Sequence, residues 1–255
     1  MTRWTALLLA GSRPSGDPLA KSMMVGHKAL IPLAGEPMVL RPLRALLASE
    51  QVGDIIVLTQ DPRDLRPVLP DDERVRIRAS GATIASTISE LIASRSAEFP
   101  VLVTTADHAL LDTQMIAEFT DKAAGADLAV GVVEQSTLMA RLPQTKRTWF
   151  KFRGGAYTGA NIFAFGSDKV LPAIERWRSV EQDRKKGWRV LAAIGPALLL
   201  GAVLRVRSLD RSVASVGRKL GLIIRAVVLS NPLAGVDVDK PEDHRLVEAI
   251  IEGRA

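Results

Sequence analysis

The chain has 255 residues, 47% apolar and 24% charged, which is enough for one sizeable α/β domain and outside the range of disordered chains. It has no cysteine and only three histidines, His27, His108 and His244, which excludes disulfides and cysteine nucleophiles and points any metal site toward hard oxygen donors. The net charge of +6 is uneven: twelve basic residues face three acidic ones between Arg176 and Arg225, so the remainder is net acidic and only that segment suits an anionic surface.

The first half alternates strand-like and helix-like pieces, the pattern of a largely parallel sheet covered by helices. Trp4–Ala10 is a nearly continuous apolar run, as a central parallel strand buried on both faces requires. The short apolar run at the start leads into Gly11–Lys21, which reads as a functional loop and not a cleavage region, so a cytoplasmic-side protein is expected. Met38–Ser49 predicts a helix, Asp54–Thr59 and Val75–Ala79 strands, and Thr83–Ser94 a helix with Ile84, Ile88, Leu91 and Ile92 on one face. Pro100–Thr105 predicts a strand, and 112–124 a helix capped by Asp112 or Thr113.

Beyond this point the pattern changes. Ala126–Glu134 reads as a strand, Gln135–Arg147 as a polar basic stretch, and Thr148–Arg153 and Ala160–Phe165 as strands around the Gly154-Gly155 turn. Residues 167–221 read as a mostly helical insert within one domain spanning 1–255. Val190–Leu204 is an uncharged run flanked by Trp177, Trp188 and basic residues. It is short for a bilayer span and is broken by Gly195-Pro196, so it reads either as a buried helix or as a weak peripheral membrane contact. Val213, Val216 and Leu220 form an amphipathic helix ending at Gly221. Leu222–Leu229 returns to strand, and Pro241–Glu252 closes the chain as a helix.

Three constellations carry chemistry. Gly11 directly after a buried strand lets backbone N–H groups approach phosphate oxygens, with Arg13, Lys21 and Lys28 as nearby cations; a flexible loop with solvated basic residues fits the same pattern. It is neither a Walker A loop nor a dinucleotide fingerprint. Asp107 ends a buried strand, on the edge where open α/β sheets bind ligands, and Asp112 is better placed than Asp107 to cap the next helix. Asp237 and Asp239 precede the last helix, whose capping suits Glu242 and Asp243 better.

Leu9-Ala10-Gly11-Ser12-Arg13, His27-Lys28-Ala29-Leu30-Ile31-Pro32-Leu33 and Gly35-Glu36-Pro37-Met38 together resemble the opening of the MobA-like nucleotidyltransferases. Ala106-Asp107-His108-Ala109-Leu110-Leu111 and Asp237-Val238-Asp239-Lys240-Pro241-Glu242-Asp243 resemble two further motifs of that superfamily. The resemblance covers residues 1 to about 165 and 222 to 252. It implies a three-layer α/β/α Rossmann-like (GT-A-like) fold with a mostly parallel sheet. It also implies Mg²⁺ held by Asp107 and Asp239, with Asp237 in reserve, and a nucleotide bound by Leu9 to Arg13, Lys28, Ser80, Gly81, Thr83 and Asp107. Lys28, Arg13 and Asp107 take the catalytic roles in this reading. Ser12 stands where the family has a second glycine, and Pro14–Gly26 is longer than in compact members, so Lys21 and Arg13 both remain open as the second phosphate contact.

Thr158, Gly159 and Asn161 fall where relatives bind the acceptor. Lys146 and Lys151, within the basic stretch Arg141–Arg153, read either as a clamp for an acceptor phosphate or as a solvated hairpin. The implied reaction transfers NMP from an NTP, CTP or GTP, to a phosphorylated small molecule. An ionised phosphate nucleophile requires no strong base, which agrees with the absence of a histidine-led motif. The alternatives are a glycosyltransferase using a nucleotide sugar, or a non-catalytic nucleotide-binding module at a membrane. Nucleic acid is not an expected partner, because aromatic residues are only 4%.

Overall fold

The computed structural model describes residues 3–11, 16–81, 83–175 and 207–255. Ser12, Arg13 and the segment 176–206, with its apolar run and Trp177 and Trp188, lie outside the described residues. Among the described residues no helix is long and apolar enough to cross a membrane.

An eight-stranded sheet organises the molecule. Its strands are β1 (Trp4–Leu9), β4 (Val52–Thr59), β5 (Val75–Ala79), β6 (Val101–Thr105), β7 (Leu128–Glu134), β8 (Phe150–Phe152), β9 (Gly155–Phe165) and β10 (Ile224–Val228). Two-residue strands β2 (Pro32–Leu33) and β3 (Glu36–Pro37) form a separate antiparallel ribbon. The order across the sheet is β10-β7-β9-β6-β1-β4-β5, with β8 paired to β9. β1 runs parallel to β4 and β6, β4 to β5, and β10 to β7; β9 runs against β6, β7 and β8.

Helices α1 (Pro18–Ser22), α2 (Leu40–Ala48), α3 (Pro62–Leu65), α4 (Ile84–Ala93), α5 (Thr113–Ala123), α6 (Gln135–Arg141), α7 (Leu209–Leu220) and α8 (Pro241–Ile251) are described. The period of two along the strands sends alternate residues to opposite faces. Ala6 and Leu8, Ile55 and Val57, and Leu102 pack toward Leu43 and Leu46 of α2, Met115, Ile116 and Phe119 of α5, and Val247 of α8. Leu7, Ile56 and Leu58, and Val101 and Val103 pack toward Ile88, Leu91 and Ile92 of α4 and toward Val170 and Ile174. Burial on both faces explains why these strands read as unbroken apolar runs, and it makes the architecture three-layered.

Local signals set the helix ends. Asp112 caps α5 by accepting from Met115 N at 2.7 Å, Thr83 and Ser86 form a capping box on α4, and α7 ends at Gly221 with φ 67°. The polar stretch after β7 differs from its sequence reading, since its first part is the helix α6, anchored by buried Leu138. β9 begins at Gly155, earlier than the expected Ala160, because β8 pairs with it across the Gly154 turn, φ 96°.

The chain enters mid-sheet at β1, proceeds outward through β4 and β5, then returns to β6 on the other side of β1. That reversal opens a crevice beyond the carboxyl ends of β1 and β6, the place where such sheets bind ligands.

Candidate active site

Three residues far apart in sequence meet at this crevice. The Lys28 ammonium lies 2.6 Å from Asp107 Oδ2 and 2.6 Å from Asp239 Oδ1. Lys28 opens a single 3₁₀ turn, Lys28–Leu30, after the β1 loop. Asp107 sits two residues past β6, and its Oδ1 accepts from the Thr105 hydroxyl at 2.5 Å. Asp239 comes from the other end of the chain, brought in where Val238 N donates to the Asp107 carbonyl at 3.1 Å. Burial by itself would lower the Lys28 pKa; the two carboxylates outweigh it and hold the ammonium above its usual range. Asp239 is half exposed while Lys28 and Asp107 are mostly covered, so the bridge opens to solvent on one side.

A second cluster adjoins the first. Asp237 is bonded by Arg147, whose Nη2 also reaches the Asp237 carbonyl at 3.3 Å and Asp243 at 3.4 Å. Asn161 Nδ2 donates to Asp237 Oδ2 at 3.2 Å. Asn161 can do so because β9 carries extra residues here: Val130 pairs with Phe163 but Val132 with Gly159. Asn161 takes φ 48° within this bulge, a left-handed conformation that Asn tolerates better than most residues. Gly131 is the complement on β7, since a Cβ there would meet Ile162 Cγ2 at 2.3 Å. Burial, followed by the attraction of Arg147 and the repulsion of Asp239, Asp107 and Asp243, leaves the Asp237 carboxyl above its ordinary value. Asp243 Oδ2 accepts from the backbone N–H groups of Asp239 and Lys240 at 3.3 and 3.1 Å and so caps α8.

The other sequence-selected residues distribute along the same edge. Ala106 N donates to the Leu9 carbonyl and Ala10 N to the Leu58 carbonyl, which fixes the exit of β1. A Cβ on Gly11 would come 2.8 Å from Gln60 Nε2, so the side chain after β4 lies against this glycine. Ser80 N is held by the Thr59 carbonyl, Gly81 N by the Thr87 hydroxyl at 2.8 Å, and Thr83 is occupied as the cap of α4. Thr158 is buried against Gly235, Gly159 faces open space, and Lys146 and Lys151 are exposed. His108 is fully buried with its pKa lowered to about 4 by that burial, and its Nδ1 lies 3.3 Å from the Thr104 hydroxyl. It is a neutral wall of the site. Among the described residues no group of three or more His, Cys, Asp or Glu side chains is arranged to hold a metal.

Sequence reading placed Arg147 only among the basic residues of Arg141–Arg153 that could clamp a phosphate, not as the partner of Asp237, and did not single out Gly131. Arg147 stood within a basic run in which nothing distinguishes an inward-turned guanidinium from a solvated one, whereas Gly131 inside a strand pattern was a readable sign of close approach.

A mostly parallel, doubly covered sheet with a lysine-bridged carboxylate pair at its switch point defines a Rossmann-like nucleotidyltransferase class of fold. Residues 6–198 match the model of the MobA-like NTP transferase domain; the chain belongs to this family and is a nucleotidyltransferase. A hypothetical transferase from Thermus thermophilus superposes with a TM-score of 0.81 and 30% identity over 95% of this chain and 100% of that one. The CMP:2-keto-3-deoxy-manno-octonic acid synthetase in complex with CTP has a TM-score of 0.61 at 14% identity, covering 100% of both chains. A 4-diphosphocytidyl-2C-methyl-D-erythritol synthase from Anaerococcus prevotii has a TM-score of 0.61 at 9% identity, covering 98% of this chain and 96% of that one. The last two likenesses concern the fold alone. A search of curated proteins finds no match.

Proposed function

We propose that the chain transfers a nucleoside monophosphate from an NTP, CTP or GTP, to a phosphorylated small-molecule acceptor with release of pyrophosphate. The observation that carries this reading is the ammonium of Lys28 set 2.6 Å from both Asp107 and Asp239 at the sheet's switch point. The two carboxylates are hard oxygen donors already drawn together around one cation, a donor set that fits Mg²⁺ with the remaining positions left to phosphate oxygens and water. When bound there, Mg²⁺ supplies charge neutralisation on the triphosphate.

The chain's own residues do the rest. Lys28 bridges the two carboxylates and offsets half of their charge, and its ammonium would contact the triphosphate if Asp107 and Asp239 held the metal. The backbone from Leu9 to Gly11 lines the phosphates, and Arg13 or Lys21 adds a second positive contact. Ser80, Gly81 and Thr83 form the edge against which the base lies. Lys146 and Lys151 hold the acceptor phosphate, with Thr158, Gly159 and Asn161 beneath it. An oxygen of that phosphate attacks the α-phosphorus; the new P–O bond forms as the bond to the β-phosphate breaks and pyrophosphate leaves. The nucleophile is already ionised at neutral pH, so neutral His108 is not required as a base. Catalysis rests on positioning and preorganised charge.

The test is pyrophosphate release from each of the four NTPs with Mg²⁺ and a panel of phosphorylated polyols, sugars and cofactor precursors. Release with at least one pair, lost in Asp107→Asn, supports the reading. Silence toward every NTP together with turnover of a nucleotide sugar would replace it with a glycosyltransferase.

A further inference from the structure

Lys28 projects from one short turn, and something must hold that turn still. The imidazole of His27, the residue before it, is buried at 5% exposure between two partners on opposite sides. Nδ1 accepts from Ala29 N at 3.1 Å, inside the Lys28–Leu30 turn. Nε2 lies 3.2 Å from the hydroxyl of Thr59, the fully buried last residue of β4. Because Nδ1 accepts, its lone pair is committed, so the neutral ring carries its proton on Nε2 and donates it to Thr59. Burial lowers the pKa of this histidine, which keeps the ring neutral and both bonds intact at neutral pH.

A turn cap alone does not explain a histidine. Asp, Asn or Ser would accept from Ala29 N equally well from the same position. Only a ring with a nitrogen on each side also spans to the end of β4. Thr59 is itself fixed, since its carbonyl accepts from Ser80 N at 2.7 Å between two parallel strands. His27 is therefore a strut from the rigid sheet edge to the base of the lysine that bridges Asp107 and Asp239.

We propose that His27 is a positioning residue for Lys28, with Thr59 as its anchor, so that the strut sets where the ammonium meets the triphosphate. This rests on the proposed role of Lys28 in nucleotide binding. A charge at the end of a four-carbon stem amplifies any tilt of its base, and displacement of a positioned group by about 1 Å can cost up to about 10²-fold.

The test is a double-mutant cycle in the affinity for Mg²⁺·CTP and Mg²⁺·GTP, measured by calorimetry with no acceptor present. His27→Asn keeps the cap acceptor but loses the reach to Thr59, and is expected to weaken binding of the preferred nucleotide about tenfold. Thr59→Val is expected to act in the same direction, and the pair together no more than His27→Asn alone. In a Lys28→Met background His27→Asn is expected to cost nothing further, which a merely structural role would not produce. An equal loss with and without Lys28 overturns the proposal. If Lys28→Met leaves nucleotide affinity unchanged, the nucleotide role of Lys28 fails and the proposal fails with it. If Lys28→Met weakens binding but His27→Asn does not, only the strut fails. Should His27→Asn not fold, ¹⁵N spectra of the intact chain decide: a neutral ring protonated at Nε2 at pH 7 is expected, and an Nδ1-protonated or charged ring overturns the proposal.

Discussion

Two carboxylate clusters stand side by side at the sheet edge, and they are built on opposite plans. In one, a single cation, Lys28, is shared by Asp107 and Asp239, with Asp239 half exposed. In the other, a single carboxylate, Asp237, is held by two donors, Arg147 from the segment between α6 and β8 and Asn161 from the β9 bulge. The shared cation leaves each carboxylate with spare acceptor capacity that incoming groups can use. Asp237 is instead covered by an Arg147 side chain that is only 9% exposed. In the proposed function, Asp107 and Asp239 carry the exchangeable charge and Asp237 serves as fixed scaffold.

The sharpest way to break this division is Asp107→Asn, which removes charge from the exchangeable cluster while keeping size. Nucleotidyl transfer, read as pyrophosphate release, is expected to fall at least about 10²-fold. Wild-type turnover with intact Mg²⁺ dependence would end the assignment. Next in size is Gly131→Ala, which attacks the fixed cluster from behind by forcing a methyl onto Ile162. Overpacking at the bulge is expected to cost about 2 kcal/mol, a Tm fall of roughly 4–8 °C by calorimetry. An unchanged Tm would mean the bulge adapts freely and Asn161 is not rigidly aimed.

A smaller effect sharpens the contrast. Lys28→Met is expected to bind Mn²⁺ without nucleotide about tenfold more tightly than wild type, because the competing ammonium is gone; paramagnetic resonance measures this directly. Weaker Mn²⁺ binding would make Lys28 a helper of the metal and not its stand-in. The smallest effect concerns Asp237→Asn. A carboxyl whose folded pKa is raised contributes stability that is present below the unfolded value of 3.8 and is lost as pH climbs through the folded value. Melting curves from pH 3.5 upward should therefore show wild type losing ground against Asp237→Asn, with transfer reduced no more than about tenfold. The reverse slope would mean that Arg147 dominates the carboxylate.

Much of this was legible in one dimension. Apolar runs such as Trp4–Leu9 and Val101–Thr105 identify strands buried on both faces, since period-two alternation disappears when each side has a helix to cover it. Asp112, Thr83 and Gly221 announced helix ends by chemistry that acts within a few residues. The antiparallel course of β9 and the helix α6 were not legible, because pairing direction and a helix with a single buried leucine depend on neighbours distant in the chain.

By itself, the sequence determined the alternation of elements, because local periodicity is a property of short segments, and its likeness to the MobA-like motifs drew attention to Lys28, Asp107 and Asp239. Only the tertiary structure decided that one ammonium spans both carboxylates, that Asp237 is tied to Arg147 and Asn161, and that His27 braces the lysine against Thr59. Those relations join residues separated by as many as 211 positions. Their geometry is set by strand order and by a bulge in β9, and neither leaves a periodic trace along the chain.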